Sequence, residues 1–269
     1  MTTKENKKNK KFWTLNPMTY VDFKKPLSER LPKKKKHFDI INKKLIISNP
    51  DFLSIIHKYK KNIKGKLVLD LGCGFGASTV ILSKFAKKIF AIDLTLPAIK
   101  NAKINIKLNK IKNVSLKQMD AENLDFKNNY FDFVFSWGVI HHSHNPTKIL
   151  MNIKKKLKKN GSCFIMVYNL LSFRYIFLSI YYLFLKGYIF RGYNFTSICK
   201  KFTDGHYNKH YSVFEMKKVL REIGYKNIKI SYGHHNGRIL PFFKSHNTWL
   251  GKFFSRYFGY FLYAYFEKN

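Results

Sequence analysis

The sequence predicts an α/β protein whose mostly parallel sheet is covered by helices on both faces. Three observations predict it. Short apolar runs alternate with helical stretches of about a dozen residues from Lys66 to Tyr168, the spacing that βαβ crossovers need. The run Phe131–Trp137 (FDFVFSW) is apolar at nearly every position, as a strand buried on both faces must be. The run Leu67–Leu71 ends in the turn Gly72-Cys73-Gly74-Phe75-Gly76, which opens a helix.

The elements follow in order. The start, MTTKENKKNKKFW, is polar, lacks the apolar stretch of a signal peptide and is expected to fray up to Phe12. Pro17–Lys36 reads as loop. Asn49-Pro50 reads as a helix start, followed by Phe52, Leu53, Ile55, Ile56 and Tyr59 at helical spacing. Strands are expected at Leu67–Leu71, Lys88–Ile92, Val114–Met119, Phe131–Trp137 and Ser162–Tyr168, the last after the turn Asn160-Gly161. Helices are expected at Ala77–Phe85, Leu96–Leu108 and Pro146–Leu157. A helix over Ser212–Ile223, a strand over Asn227–Tyr232 and an aromatic run over Tyr257–Phe266 close the chain. This divides it into an N-terminal extension or lid (1–48) and one domain (49–269), with a cap inserted at about 170–211.

Composition excludes several classes. Apolar residues make up 45% and aromatics 17%, too many for a disordered chain. Three scattered cysteines form neither a disulfide framework nor a metal-ligand spacing, which favours a reducing, cytoplasmic setting. The net charge of +36 invites a nucleic-acid reading, but it is spread as +14 over residues 1–66, +10 over 67–170 and +12 over 171–269. It comes from 45 Lys and 6 Arg, whereas readers of phosphates and bases lean on the guanidinium fork. Lysine-heavy compositional drift is the plainer reading, and attraction to an anionic partner the functional one.

The sharpest chemistry lies in Asp70-Leu71-Gly72-Cys73-Gly74-Phe75-Gly76. Glycines there allow positive φ and close approach of a ligand. Such sheets bind ligands at the carboxyl ends of their strands. The next strand ends at Asp93, placed to accept hydrogen bonds from two ribose hydroxyls. The G-x-G-x-G spacing departs from the dinucleotide pattern G-x-G-x-x-G, because Ala77 stands three residues beyond Gly74. Asp70 would repel a pyrophosphate and suits a cationic group. Spacing and acid together favour S-adenosylmethionine over NAD.

These residues resemble the class I S-adenosylmethionine-dependent methyltransferases, specifically their type 11 family. VLDLGCGFGAST looks like the family's first motif and FAIDLT its second. QMDAENLDF resembles the segment in which Asp120 meets the adenine amino group and the Ala121 backbone meets the ring. FDFVFSWGVIHHS and NGSCFIMVYN resemble the fourth- and fifth-strand motifs. KFWTLNP, TDGHYNKHYS (Thr203–Ser212) and GYFLYAYFEK extend the resemblance more weakly. It implies a Rossmann-like, seven-stranded sheet of order 3-2-1-4-5-7-6 with an antiparallel last strand. The cofactor-binding set is then Asp70, Gly72, Gly74, Gly76, Asp93, Asp120 and Ala121.

His141 and His142 fall just past the fourth strand, where the acceptor should sit, and are candidate proton acceptors; a loop-holding role is the alternative. His144, His206 and His210 are lesser candidates, and His234-His235 read as loop. No histidine pair shares a helix face with a carboxylate, so no metal is expected. Phe12, Trp13 and Tyr20 could form a lid over the cofactor. The apolar stretch Leu170–Leu185 is too short for the ~20 residues of a membrane span. It reads first as a core helix of the cap, and second as an interfacial helix giving peripheral membrane contact. The expected reaction is methyl transfer to a small-molecule or lipid-like acceptor. The rivals are an RNA or nucleic-acid methyltransferase and a non-catalytic S-adenosylmethionine-binding protein.

Overall fold

The computed structural model describes residues 4–19, 28, 31, 32, 34–233 and 256–269. Its centre is a sheet in the order β3-β2-β1-β4-β5-β8-β7, built from β1 (Leu67–Leu71), β2 (Lys88–Asp93), β3 (Val114–Gln118), β4 (Phe131–Trp137), β5 (Leu157–Asn169), β7 (Tyr225–Gly233) and β8 (Phe261–Lys268). The five strands β1–β5 are parallel, and β8 runs antiparallel to both β5 and β7. Counting these seven strands alone gives the expected order. An eighth, two-residue strand β6 (His210–Tyr211) pairs with the end of β5; it was not expected, being too short to show a period.

The period of two along the strands decides what lies on each face. Leu69, Val134, Cys163, Ile165 and Val167 point to one side and pack with α7 (Pro146–Lys156) and α10 (Val213–Glu222) through Ile149, Leu150, Ile153, Met216 and Leu220. Their neighbours Val68, Phe133, Phe135, Phe164 and Met166 point to the other. There they meet α2 (Lys35–Ser48), α3 (Phe52–Lys58), α5 (Ala77–Leu82) and α6 (Leu96–Leu108) through Leu45, Phe52, Ile55, Ile56, Leu82 and Ala102. Between α3 and β1 lies one helical turn, α4 (Lys60–Ile63). The interior residues of β1 and β4, Val68–Leu71 and Phe133–Ser136, are therefore buried on both faces, which is why FDFVFSW shows no strict polar alternation.

Three local expectations are corrected. From Lys4 onward the expected fraying gives way to a helix: α1 spans Lys4–Leu15, with Asn6 and Asn9 buried against the domain. The helix expected from Pro50 starts at Phe52, because Asn49 caps the end of α2. The fifth strand begins at Leu157, not Ser162; a bulge at left-handed Asn160 interrupts its pairing with β4 and hides the early part from pattern reading. Tyr20 and His234-His235 lie outside the described residues.

The cap opens with α8 (Phe173–Ile180), shorter than Leu170–Leu185. A π-type turn over Tyr181–Leu185, a 3₁₀ turn over Tyr188–Arg191 and α9 (Phe195–Lys201) complete it. Helix α8 packs against a cavity as part of a cap, as first expected, but with one face only. Tyr175, Ser179 and Leu183 face inward at a spacing of four, while Ile180, Phe184 and Leu185 face solvent.

Candidate active site

A cavity of about 770 Å³ opens at the carboxyl ends of β1, β2, β4 and β5, within the ~300–1,000 Å³ usual for small-molecule sites. Gly72, Gly74, Asp93, Asp120, Ala121 and His142 line it. Six of the residues singled out from the sequence thus line one cavity.

The three glycines serve three different purposes. A Cβ at Gly74 (φ +53°) would meet no atom within 4 Å, so this residue opens onto ligand space. A Cβ at Gly72 would lie 2.1 Å from Val139 Cγ2, so that glycine lets the loop after β4 cross the turn. A Cβ at Gly76 would touch Ala102 of α6, and Gly76 does not line the cavity. Its place in the cofactor set is replaced by a packing role between α5 and α6.

Asp70 is likewise displaced from the expected role. It does not line the cavity. Its Oδ2 accepts from Ser78 Oγ at 2.8 Å and Thr79 Oγ1 at 2.6 Å, since the first turn of α5 brings both hydroxyls beneath the loop. Burial pushes its pKa up to about 6 against the opposing pull of the two hydroxyls, with Asp93 adding to the rise. The folded protein therefore holds this proton more tightly than the unfolded chain. The stability it contributes is fully present below about pH 3.8 and is lost as pH rises through 6. At neutral pH the charged carboxylate costs about 3 kcal/mol, at ~1.4 kcal/mol per pH unit. Asp70→Asn keeps an oxygen for both hydroxyls. We expect it to be more stable than the wild type by up to that amount at pH 7 but not at pH 4, read from urea melts at both.

Asp93 ties the site together. Its Oδ2 accepts from the Gly74 amide at 3.0 Å, and its Oδ1 accepts from the Thr95 amide and hydroxyl. Burial raises its pKa, opposed by these bonds. Gly72 and Cys73 donate their amides to the Ile92 carbonyl, and Gly76 donates to Cys73. The loop amides that would cradle a pyrophosphate are thus engaged, one of them by a carboxylate. Dinucleotide phosphates would find repulsion here; a ribose and a sulfonium-bearing methionine would not. Asp120 accepts from the Glu122 amide and from Asn6 Nδ2 of α1. It therefore caps a short 3₁₀ turn and faces the cavity as well.

The two histidines separate. His141 is fully buried, absent from the cavity wall, and its ring lies 4.1 Å from that of Tyr168. Burial holds its pKa well below the usual histidine value, so it is a neutral packing residue. His142 lines the cavity. Its Nδ1 donates to the Tyr207 carbonyl at 3.0 Å, because a carbonyl only accepts; Nε2 then carries the lone pair. Burial lowers its pKa, while the Asp204 carboxylate and the Tyr207 carbonyl pull the other way.

Three groups hold His142, and of these only Asn9 had no sign in the sequence. Asn9 of α1 donates to its carbonyl at 2.6 Å, and Trp13 meets its ring edge-on at 4.8 Å. Trp13 lines the cavity, whereas Phe12 does not and meets the Trp13 ring edge-on at 5.1 Å. Segment 203–209 crosses on the other side, where Gly205 (φ +93°) leaves room for the ring: a Cβ would lie 2.5 Å from Nδ1. Buried Glu122 accepts from Ser143 Oγ at 2.6 Å and fixes the turn that follows. Asp204 also accepts from the Tyr168 hydroxyl across the cavity wall. The signal for this segment was the motif TDGHYNKHYS, which carried the resemblance without showing its contacts. Among the described residues, no group of His, Cys, Asp and Glu could hold a metal ion.

A family model described as a methyltransferase domain matches residues 62–225. The chain belongs to this family. The match covers every strand from β1 to β6 and the whole cofactor loop, so the domain is a class I S-adenosylmethionine-dependent methyltransferase. Two curated relatives are similar over this region. A mitochondrial ubiquinone biosynthesis O-methyltransferase from Dictyostelium discoideum is 36% identical over 124 residues, 42% of this chain and 39% of that protein. A tRNA U34 carboxymethyltransferase from Campylobacter curvus is 32% identical over 105 residues, 39% of this chain and 35% of that protein. The chain thus spans less than half the length of these relatives. In fold, the methyltransferase resembles a SAM-dependent methyltransferase from Aquifex aeolicus, with a TM-score of 0.56 at 16% identity, covering 88% of this chain and 100% of that one.

Proposed function

We propose that this chain methylates a small acceptor with an apolar or aromatic body, at a proton-bearing atom presented to His142. One observation carries the reading. The cavity that begins at Gly74 and Asp93 continues unbroken to Trp137, Tyr168, Phe173, Tyr260 and His142. A planar or acyl body is favoured against such a wall, and the reacting atom is brought to its polar end. When bound, S-adenosylmethionine supplies an electrophilic methyl on a positively charged sulfur. The protein's own part is mainly placement, holding the nucleophile about 3 Å from that carbon and in line. His142 Nε2 receives the proton that the nucleophile sheds as its bond to carbon forms. Burial keeps that imidazole neutral at pH 7, which a base requires. The similarity to ubiquinone biosynthesis O-methyltransferases supports an acceptor of this kind, and the similarity to a tRNA-modifying relative names the rival.

The test is transfer of labelled methyl from S-adenosylmethionine into two fractions of a cell lysate. Label in the organic-solvent extract is the expected result. Label confined to RNA contradicts the reading, and cofactor binding with no transfer to either fraction turns it toward a non-catalytic role.

A further inference from the structure

The cap carries an apolar tip that the methyltransferase fold does not use. Phe190 is 91% exposed, Leu185 74% and Phe184 64%, with Ile180 and Ile189 beside them. Gly187 (φ +64°) turns the chain between Leu185 and Phe190. Four tyrosines of the same segment, Tyr181, Tyr182, Tyr188 and Tyr193, are half-buried, and their rings touch in a chain from Tyr181 to Tyr182 to Tyr188 to Tyr193. Cations lie over their rings: Lys186 over Tyr181, Arg191 over Tyr188, and Lys201 over Tyr188 and Tyr193. Between Leu170 and Thr203 the sequence has five basic residues and no acidic one.

We infer that this tip inserts into the surface of an anionic phospholipid bilayer. The gradient of exposure is that of an interfacial element: apolar side chains stand the most exposed, and the tyrosines with cations over their rings are half-buried. Tyrosine rings and snorkelling cations suit headgroup depth, and the acid-free segment suits negative lipid. A second copy of the chain fits less well, because two bodies of net charge +36 would meet face to face. No helix among the described residues is long and apolar enough to cross a membrane, so the tip dips in and does not span. The root of the same segment, Phe173 and Arg174, lines the acceptor cavity, so docking would set the cavity wall beside the lipid. The binding itself does not depend on which acceptor is methylated, and it is read without one.

The experiment is flotation of the full chain with phosphatidylcholine vesicles, either pure or about one-third phosphatidylglycerol. The wild type should float with the anionic vesicles and keep a bound fraction at about 0.5 M NaCl, where charge is screened within a few ångströms. Phe184→Ser combined with Phe190→Ser should cut that salt-resistant partition at least about tenfold. Phe214→Ser, at a side chain 79% exposed on α10 and outside the cap, should not. A second measurement covers a misfolded double variant. All three native cysteines are buried, so Phe190→Cys takes an environment-sensitive thiol dye selectively, and its emission should shift blue on anionic vesicles. Absent flotation, binding that salt abolishes and the serine pair leaves unchanged, or a dimer that the pair dissociates with no lipid binding would each overturn the inference.

Discussion

Gly74→Val abolishes S-adenosylmethionine binding and leaves the fold standing. The expectation rests on where a side chain at that position would go. The Cβ points into open space in the cavity, next to Asp93, and a branched side chain fills the volume the ligand needs. The left-handed backbone, φ +53°, adds strain of ~1–2 kcal/mol for any side chain, and more for a β-branched one. Titration calorimetry should show affinity reduced by at least about 100-fold, equivalent to ~3 kcal/mol. Gly72→Ala provides the contrast. Its Cβ would collide with Val139 at 2.1 Å, so the cost falls on the loop that carries His142 and appears as lowered thermal stability. If Gly74→Val instead lowers stability and spares affinity, the two glycines have been assigned the wrong way round.

His142→Ala should lower the maximal methylation rate by about 10²–10⁴-fold while cofactor affinity stays within a few-fold, because a base acts chiefly in the transition state. His141→Ala, which leaves a hole beside Tyr168, should reduce stability and leave the rate largely unchanged. The rate should fall on acidification as His142 becomes protonated, with the midpoint below 6.5 because burial lowers its pKa. Asp204 raises that pKa, so Asp204→Asn should move the acidic limb to lower pH. A merely structural Asp204 would change stability without moving the limb. Equal rates for His142→Ala and the wild type would leave placement alone as the source of catalysis.

The fold was legible because its signals are local. The turn Gly72–Gly76 and the continuous apolar strand Phe131–Trp137 each state their environment within a few residues, and their order along the chain sets the crossovers. The glycine-turn end of the cavity was legible for the same reason. What was not legible depends on which side chain arrives first. Asp70 stands beside the glycines in sequence, yet Ser78 and Thr79 claim its carboxylate from one turn into α5. Gly76 reads like Gly74, and only the position of Ala102 on another helix tells them apart. Asn6 and Asn9, in a lysine-rich run, gave no sign of reaching Asp120 and the His142 carbonyl. The cap reads apolar nearly all round, so the pattern could not say which face the protein would cover.

The most direct test of the central claim is titration of the wild-type chain with S-adenosylmethionine and, separately, with NADH. The arrangement of Gly74, Asp93 and Asp120 predicts saturable binding of S-adenosylmethionine and of its demethylated product, with no binding of NADH up to millimolar concentration. Saturable binding of NADH with none of S-adenosylmethionine would contradict it.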